Sequence, residues 1–181
     1  MLIRAEDSVL LVIDMQERLV PAVRAPARTL RNAGLLLRAA DTCGVPAILT
    51  EQYPKGLGPT VPEIRSAAGD SPVFEKLHFS CMKEEAFATT FAALERRQAV
   101  LAGMEAHVCV LQTAAGLIEA GHEVFVVSDA TASRTSESEA ASITRLNASG
   151  ATSVTTEMVV FEWLGRAGTP AFEALLPLLK G

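Results

Sequence analysis

The chain has 181 residues, with 16 basic and 21 acidic side chains, a net charge of −5, and 49% hydrophobic against 20% charged content. That length is ample for one domain with a full core, taken here as residues 1–181. The acidic balance, with no basic tract, speaks against nucleic acid or an anionic membrane as partner.

The three cysteines, Cys43, Cys81 and Cys109, lie far apart with no C-x-x-C spacing. That usage points to reduced thiols in a cytoplasm rather than to a disulfide framework or a zinc ribbon. Arg4, Glu6 and Asp7 precede the first apolar run and no small-residue cleavage site follows it, which argues against a signal peptide. That run, Val9 to Ile13, is also far short of a membrane span.

Val9-Leu10-Leu11-Val12-Ile13 reads as a strand buried on both faces, as in a parallel sheet. Asp14 follows directly. It either caps the next turn or stands at the carboxyl edge of the strand, where open α/β sheets bind ligands. Residues 15–26 form a polar loop with two prolines. The spacing of Leu30, Ala33, Leu37 and Ala40 predicts a helix over Ala27–Cys43, stopped by Gly44. Val45–Thr50 is a second short strand. The Gly- and Pro-rich stretch Glu51–Pro59 leaves its carboxyl end as a loop that borders a site. Its G-x-G is not a phosphate-binding loop, and no G-x-x-x-x-G-K-[ST] occurs.

Ile64–Ala68 is a short helical turn and Val73–Lys76 a third strand. A lone lysine is usually a solvated charge, but Lys76 closes a strand, with Phe79 and Cys81 just beyond. Glu84–Arg96 is an amphipathic helix with Phe87, Thr90, Phe91 and Leu94 on one face. A fourth strand, Ala99–Ala102, runs into Gly103-Met104-Glu105-Ala106-His107-Val108-Cys109-Val110 and then a helix closed by Gly121. A cysteine in the first turn of a helix is favoured as thiolate by the free N–H groups and the dipole, and those N–H groups can also hold an oxyanion. The alternative is a cysteine that is simply buried.

Glu123–Ser128 is a fifth strand ended by Asp129, followed by a Ser/Thr loop over 131–136 and a helix over Glu137–Ala148. Ala151–Thr155 is a sixth strand, and Glu157–Leu164 and Pro170–Leu179 are helices. Strands and helices alternate throughout. The expected fold is therefore α/β: a three-layer, doubly wound, Rossmann-like parallel sheet of about six strands with helices on both faces. In the strand order 3-2-1-4-5-6, strands one and four flank the switch point. Asp14 and Cys109 then face each other and Lys76 reaches in from the side. A carboxylate there can act as base for a thiol, and an ammonium stabilises both anions.

These residues resemble the isochorismatase-like cysteine hydrolase superfamily. The resemblance rests on Val12-Ile13-Asp14-Met15-Gln16, on Lys76 with Phe79-Ser80, on Gly103 to Val110, and on Val127-Ser128-Asp129-Ala130-Thr131-Ala132-Ser133-Arg134. Within it, Thr50 to Gly58 is similar to the isochorismatase-domain-containing branch. The resemblance implies Asp14 as general base, Cys109 as nucleophile and Lys76 as cationic partner. It also implies a cis peptide at Met104–Glu105, with the Glu105 and Cys109 N–H groups aimed at a carbonyl oxygen. Nicotinamidases of the superfamily carry a metal on an Asp-x-His after the second strand. Here that place reads Glu51-Gln52-Tyr53, so no metal and no cofactor is expected. Isochorismatase proper lacks the catalytic Cys, so Cys109 argues against its vinyl-ether reaction.

The expected activity is hydrolysis of a small amide or related C–N substrate through a thioester. The alternatives are a redox-active thiol protein, with Cys81 approaching in space, or a non-catalytic flavodoxin-like binding module. Gln16, Gln52, Tyr53 and Phe79 are candidate pocket residues. His107 is too close to Cys109 along the turn to serve as its base; its side chain should diverge. A homo-oligomer, a dimer or larger, is expected from the apolar composition, from the apolar residues spread round the helix at Phe172–Leu179, and from the resemblance.

Overall fold

The computed structural model, which describes residues 1–180, builds a six-stranded parallel sheet in the order β3-β2-β1-β4-β5-β6. The strands are β1 (Ser8–Ile13), β2 (Ala47–Gln52), β3 (Val73–Lys76), β4 (Gln98–Met104), β5 (Glu123–Ala132) and β6 (Thr152–Val154). The helices are α1 (Pro26–Cys43), α2 (Pro54–Leu57), α3 (Pro62–Ala67), α4 (Glu85–Ala93), α5 (Leu111–Glu119), α6 (Ser136–Ala148), α7 (Thr156–Leu164) and α8 (Pro170–Leu179). The expected fold class and strand order are the observed ones.

The sheet divides the core in two. Along β1, Leu10 and Val12 join one apolar cluster, while Val9, Leu11 and Ile13 join the other. That alternation explains an unbroken apolar strand: with helices on both faces, neither set of side chains can be polar. On the first face lie Leu36 of α1, Val159, Val160 and Trp163 of α7, and Leu175 of α8. On the second lie Phe87 and Phe91 of α4, Ala114 and Leu117 of α5, and Leu146 of α6. Each of the large side chains adds about 1.5–3 kcal/mol by leaving water.

Four elements depart from the sequence reading. A short helix, α2, interrupts the stretch Glu51–Pro59 that reads as a loop. Strand β2 continues through Glu51 to Gln52, because β3 pairs with it out to Gln52↔Lys76; the loop begins later than its polar residues indicate. Strand β5 continues to Ala132 after an irregularity in its register, which passes from Leu101↔Val126 to Gly103↔Thr131. Cys109 sits in a wide π turn, Ala106–Val110, that precedes α5. Gly103 is required at this point. Its φ is +131°, and a Cβ there would collide with the Ile13 carbonyl. Only glycine lets β4 run this close to the end of β1.

Among the described residues, no helix is long and apolar enough to cross a membrane. In α8 only Leu175 is fully buried, and Leu178 remains 40% exposed. Met158 and Phe161 of α7 are also exposed.

Candidate active site

Strand ends deliver the reactive groups. Asp14 leaves β1 with φ 53°, a left-handed turn that an aspartate tolerates better than most residues. Lys76 closes β3 and extends inward. Its Nζ lies 2.7 Å from Asp14 Oδ2, with both side chains at 1% exposure or less. Cys109 comes from the π turn after β4, beside β1 in the sheet. Its Sγ lies 3.9 Å from Gln52 Oε1. The carboxylate, ammonium and thiol expected at the switch point are therefore gathered there.

The surrounding hydrogen bonds are complete. Asp14 Oδ1 accepts from Thr50 Oγ1 at 2.7 Å. Lys76 Nζ also donates to Gln52 Oε1 at 2.7 Å and, more weakly, to the carbonyls of His78 and Phe79 at 3.5 and 3.4 Å. Thr50 Oγ1 is in reach of Cys81 Sγ at 4.0 Å, and Thr113 Oγ1 donates to the same sulfur at 3.2 Å. A buried ion pair persists only when its remaining donors and acceptors are satisfied, and here they are.

The charge states follow from burial and from the pair. Burial works against an ammonium at Lys76, but Asp14 and the two nearby sulfurs outweigh it, and its pKa is raised. Burial first, and Asp14 second, raise the Cys109 thiol well above its ordinary range; Lys76 opposes them only in part. Cys81, more deeply enclosed, is raised from 9.0 to about 11. This corrects the expectation of a thiolate at a helix start. Cys109 is 5% exposed in a π turn beside a carboxylate, so desolvation and like charge outweigh any helix-end effect. Both thiols are thus held towards their neutral forms beside the Asp14–Lys76 pair.

The turn that carries Cys109 is held by the segment that follows β5. The Met104–Glu105 peptide is cis. Arg134 Nε donates to Glu105 Oε1 at 2.7 Å, and the His107 ring lies 2.8 Å from Ser133 Oγ. The His107 ring is therefore engaged with Ser133, just past the end of β5. The Glu105 carbonyl accepts from the Val108 and Val110 N–H groups at 3.0 and 3.2 Å; the Cys109 N–H between them is not so engaged.

The four candidate pocket residues separate. Gln52 joins the cluster. Gln16 does not line a pocket. It is fully buried, and its amide pairs with the Gln52 backbone, accepting from Gln52 N at 2.8 Å and donating to Gln52 O at 3.0 Å. It continues the β1–β2 pairing with a side chain where the β1 backbone has turned away. Tyr53, 52% exposed, lines a cavity of about 440 Å³ together with Lys55, Leu77 and Glu84. Phe79 is 51% exposed and reaches the cluster through its carbonyl alone. Sequence reasoning missed Thr50 and Thr113. Thr50 had a readable signal: it follows an apolar strand at the level of Ile13 and Asp14.

Among the described residues, no three His, Cys, Asp or Glu side chains are grouped to hold a metal ion. Glu51 holds the loop: its Oε1 accepts from both Thr60 N and Thr60 Oγ1 at 2.7 Å.

Comparison with known proteins gives this arrangement its context. The isochorismatase domain model matches residues 8–158. The chain is 41% identical over 172 residues to isochorismatase domain-containing protein 2 of Danio rerio, covering 95% of this chain and 86% of that one. A Caenorhabditis elegans structure described as MAR1 ribonuclease superposes with a TM-score of 0.94 at 34% identity, covering 100% of this chain and 93% of that one. The YcaC gene product of Escherichia coli, described as an octameric hydrolase of unknown specificity, superposes with a TM-score of 0.92 at 27% identity, covering 98% and 90%. Fold and matches define an isochorismatase-like α/β hydrolase. The chain belongs to the isochorismatase family.

Proposed function

We propose that the protein is a cysteine hydrolase of a small amide or related C–N substrate, with Asp14, Lys76 and Cys109 as its catalytic triad. The single observation that carries this reading is the dry Asp14–Lys76 pair with a neutral thiol beside it at the switch point of the sheet. Asp14 takes the proton of Cys109 as the sulfur attacks the substrate carbonyl carbon. Lys76 remains an ammonium and stabilises the new anionic charge. The oxyanion is received by the Glu105 and Cys109 N–H groups. When the C–N bond breaks, protonated Asp14 gives its proton to the leaving nitrogen, leaving a thioester on Cys109. Asp14 then deprotonates a water that attacks the thioester, and the proton returns to the sulfur as the acid departs. The raised thiol pKa suits this order, since proton transfer and attack are coupled and no standing thiolate is exposed to oxidants.

No step requires a metal or a cofactor. The same reading takes residues 1–181 as one domain in the cytoplasm, consistent with three free cysteines. It takes the assembly as a homo-oligomer, supported by the exposed apolar side chains Met158, Phe161 and Leu178 and by the octameric relative. The name of the C. elegans relative raises RNA as a substrate, but a net charge of −5 with no basic tract argues against a polyanion. The experiment is a screen of small amides, ureas and carbamoyl compounds for release of ammonia or amine. Release from at least one is expected. Release from none, with peroxide consumed instead, would favour the redox reading.

A further inference from the structure

Gln52 touches more of the cluster than a pocket-wall residue would. The two shortest contacts of the Lys76 ammonium are Asp14 Oδ2 and Gln52 Oε1, both at 2.7 Å. The same Oε1 is 3.9 Å from Cys109 Sγ. The other end of the amide is fixed: Nε2 donates to the Leu77 carbonyl at 2.9 Å. The Gln52 backbone is held in turn by Gln16, whose Nε2 is anchored a second time on the Gly58 carbonyl at 2.7 Å. With Oε1 on the ammonium and one Nε2 hydrogen on the Leu77 carbonyl, the Gln52 amide is fixed at both ends. Its chemistry matters as much as its place. A carboxamide accepts from an ammonium without adding charge, so Asp14 remains the only anion facing Lys76, Cys81 and Cys109. A carboxylate in its place would give the cluster a net negative charge beside the sulfur.

We infer that Gln52 is a positioning residue that acts through Lys76, holding the ammonium between Asp14 and Cys109 while keeping the cluster neutral, with Gln16 as its backbone brace. This deepens the cysteine-hydrolase reading and rests on it.

The test reads Cys109 directly and needs no substrate. The rate of Cys109 alkylation by iodoacetamide is followed across pH by peptide mass in the full chain, with Cys43, outside the cluster, as internal reference. Gln52→Met keeps the bulk and loses the acceptor. It should slow alkylation at pH ~8 by at least about fivefold, because the loosened ammonium stabilises the thiolate less. In a Lys76→Met background the same change should alter the rate by less than about twofold, since a residue that acts through Lys76 has nothing left to act on. Gln52→Glu, nearly isosteric, should slow alkylation at pH ~8 by at least about fivefold, because it adds an anion beside the sulfur; it decides the matter if Gln52→Met does not fold. Alkylation within twofold of wild type for Gln52→Met or for Gln52→Glu, or an equal effect of Gln52→Met with and without Lys76, would overturn the inference. If instead Cys109→Ala retained turnover while these alkylation results held, the hydrolase reading would fall and the positioning role would stand.

Discussion

Strands β1 and β4 lie side by side, and each end of the pair buries polar groups, but the two ends have different chemistry. At the amino end, Ser8 is level with Gln98. Ser8 Oγ donates to the Arg4 carbonyl and accepts from Trp163 Nε1, while Gln98 accepts from the Arg4 N–H and donates to the Leu2 carbonyl and Glu123. The fully buried side chains there, Ser8 and Gln98, are neutral, the one charged partner, Glu123, is only half-buried, and the groups tie the N-terminal residues to the sheet. At the carboxyl end stand a carboxylate, an ammonium and a thiol, equally buried and equally satisfied. Burial of polarity therefore does not mark the site. What marks it is charge retained in a dry place next to the thiol proposed as nucleophile, an arrangement that a closed neutral network would replace at lower desolvation cost.

Substitutions should separate the two ends. Cys109→Ala is expected to abolish turnover by a factor approaching a million-fold, with thermal midpoint little changed, because the covalent route is lost while only one sulfur leaves the core. Retention of more than about a tenth of wild-type activity would place the chemistry elsewhere. Lys76→Met should both inactivate and destabilise. It leaves Asp14 as an uncompensated buried charge, at a cost of about 3–5 kcal/mol in urea unfolding. Gln98→Leu at the other end should cost about 1–3 kcal/mol through the unpaired Arg4 N–H and Leu2 carbonyl, with kcat unchanged. A large loss of kcat in Gln98→Leu would erase the distinction between the ends.

The pH dependence sharpens the same contrast. Lys76, Cys81 and Cys109 all bind their protons more tightly in the folded state. A group with a raised folded pKa contributes stability that is present below its unfolded value and lost as pH climbs towards its folded one. The lowest unfolded value of the three is the thiol's 9.0, and Cys81 reaches about 11 when folded. The urea midpoint should therefore be unaffected by these groups at neutral pH and fall from about pH 9 upward. Cys81→Ala, which removes one of the raised groups, should flatten that decline; an equally steep fall in the variant would show that these groups do not set it.

The sheet order and the three strand-end residues were legible in the sequence because buried parallel strands leave continuous apolar runs, and whatever follows such a run lies on the carboxyl edge. What escaped has a common physical cause. Gln16 and Gln52 are polar residues beyond apolar strands, so they read as loop or pocket. In fact one amide side chain completes backbone pairing for the other. Thr50 looked like the last residue of a strand and proved to be the second partner of Asp14. The thiol's charge state escaped because a helix start is visible in sequence, whereas the depth of burial and the facing carboxylate are not.

Two smaller effects remain. Dialysis against EDTA should leave turnover unchanged, since Glu51 is engaged with Thr60 and the proposed steps use side chains alone; loss restored by zinc or manganese would contradict the mechanism. Light scattering at micromolar concentration should give a multiple of the 19.2 kDa chain mass; a constant mass of one chain would exclude the homo-oligomer.

The covalent intermediate is the centre of the account, and chemical quench tests it most directly. The protein is mixed with an amide that it hydrolyses, quenched in acid within the first turnover, digested and weighed by mass spectrometry. The acyl group of that amide is expected on the peptide containing Cys109, released by hydroxylamine as the hydroxamate. Full turnover with no adduct in the pre-steady state, or an adduct on any other residue, would contradict it.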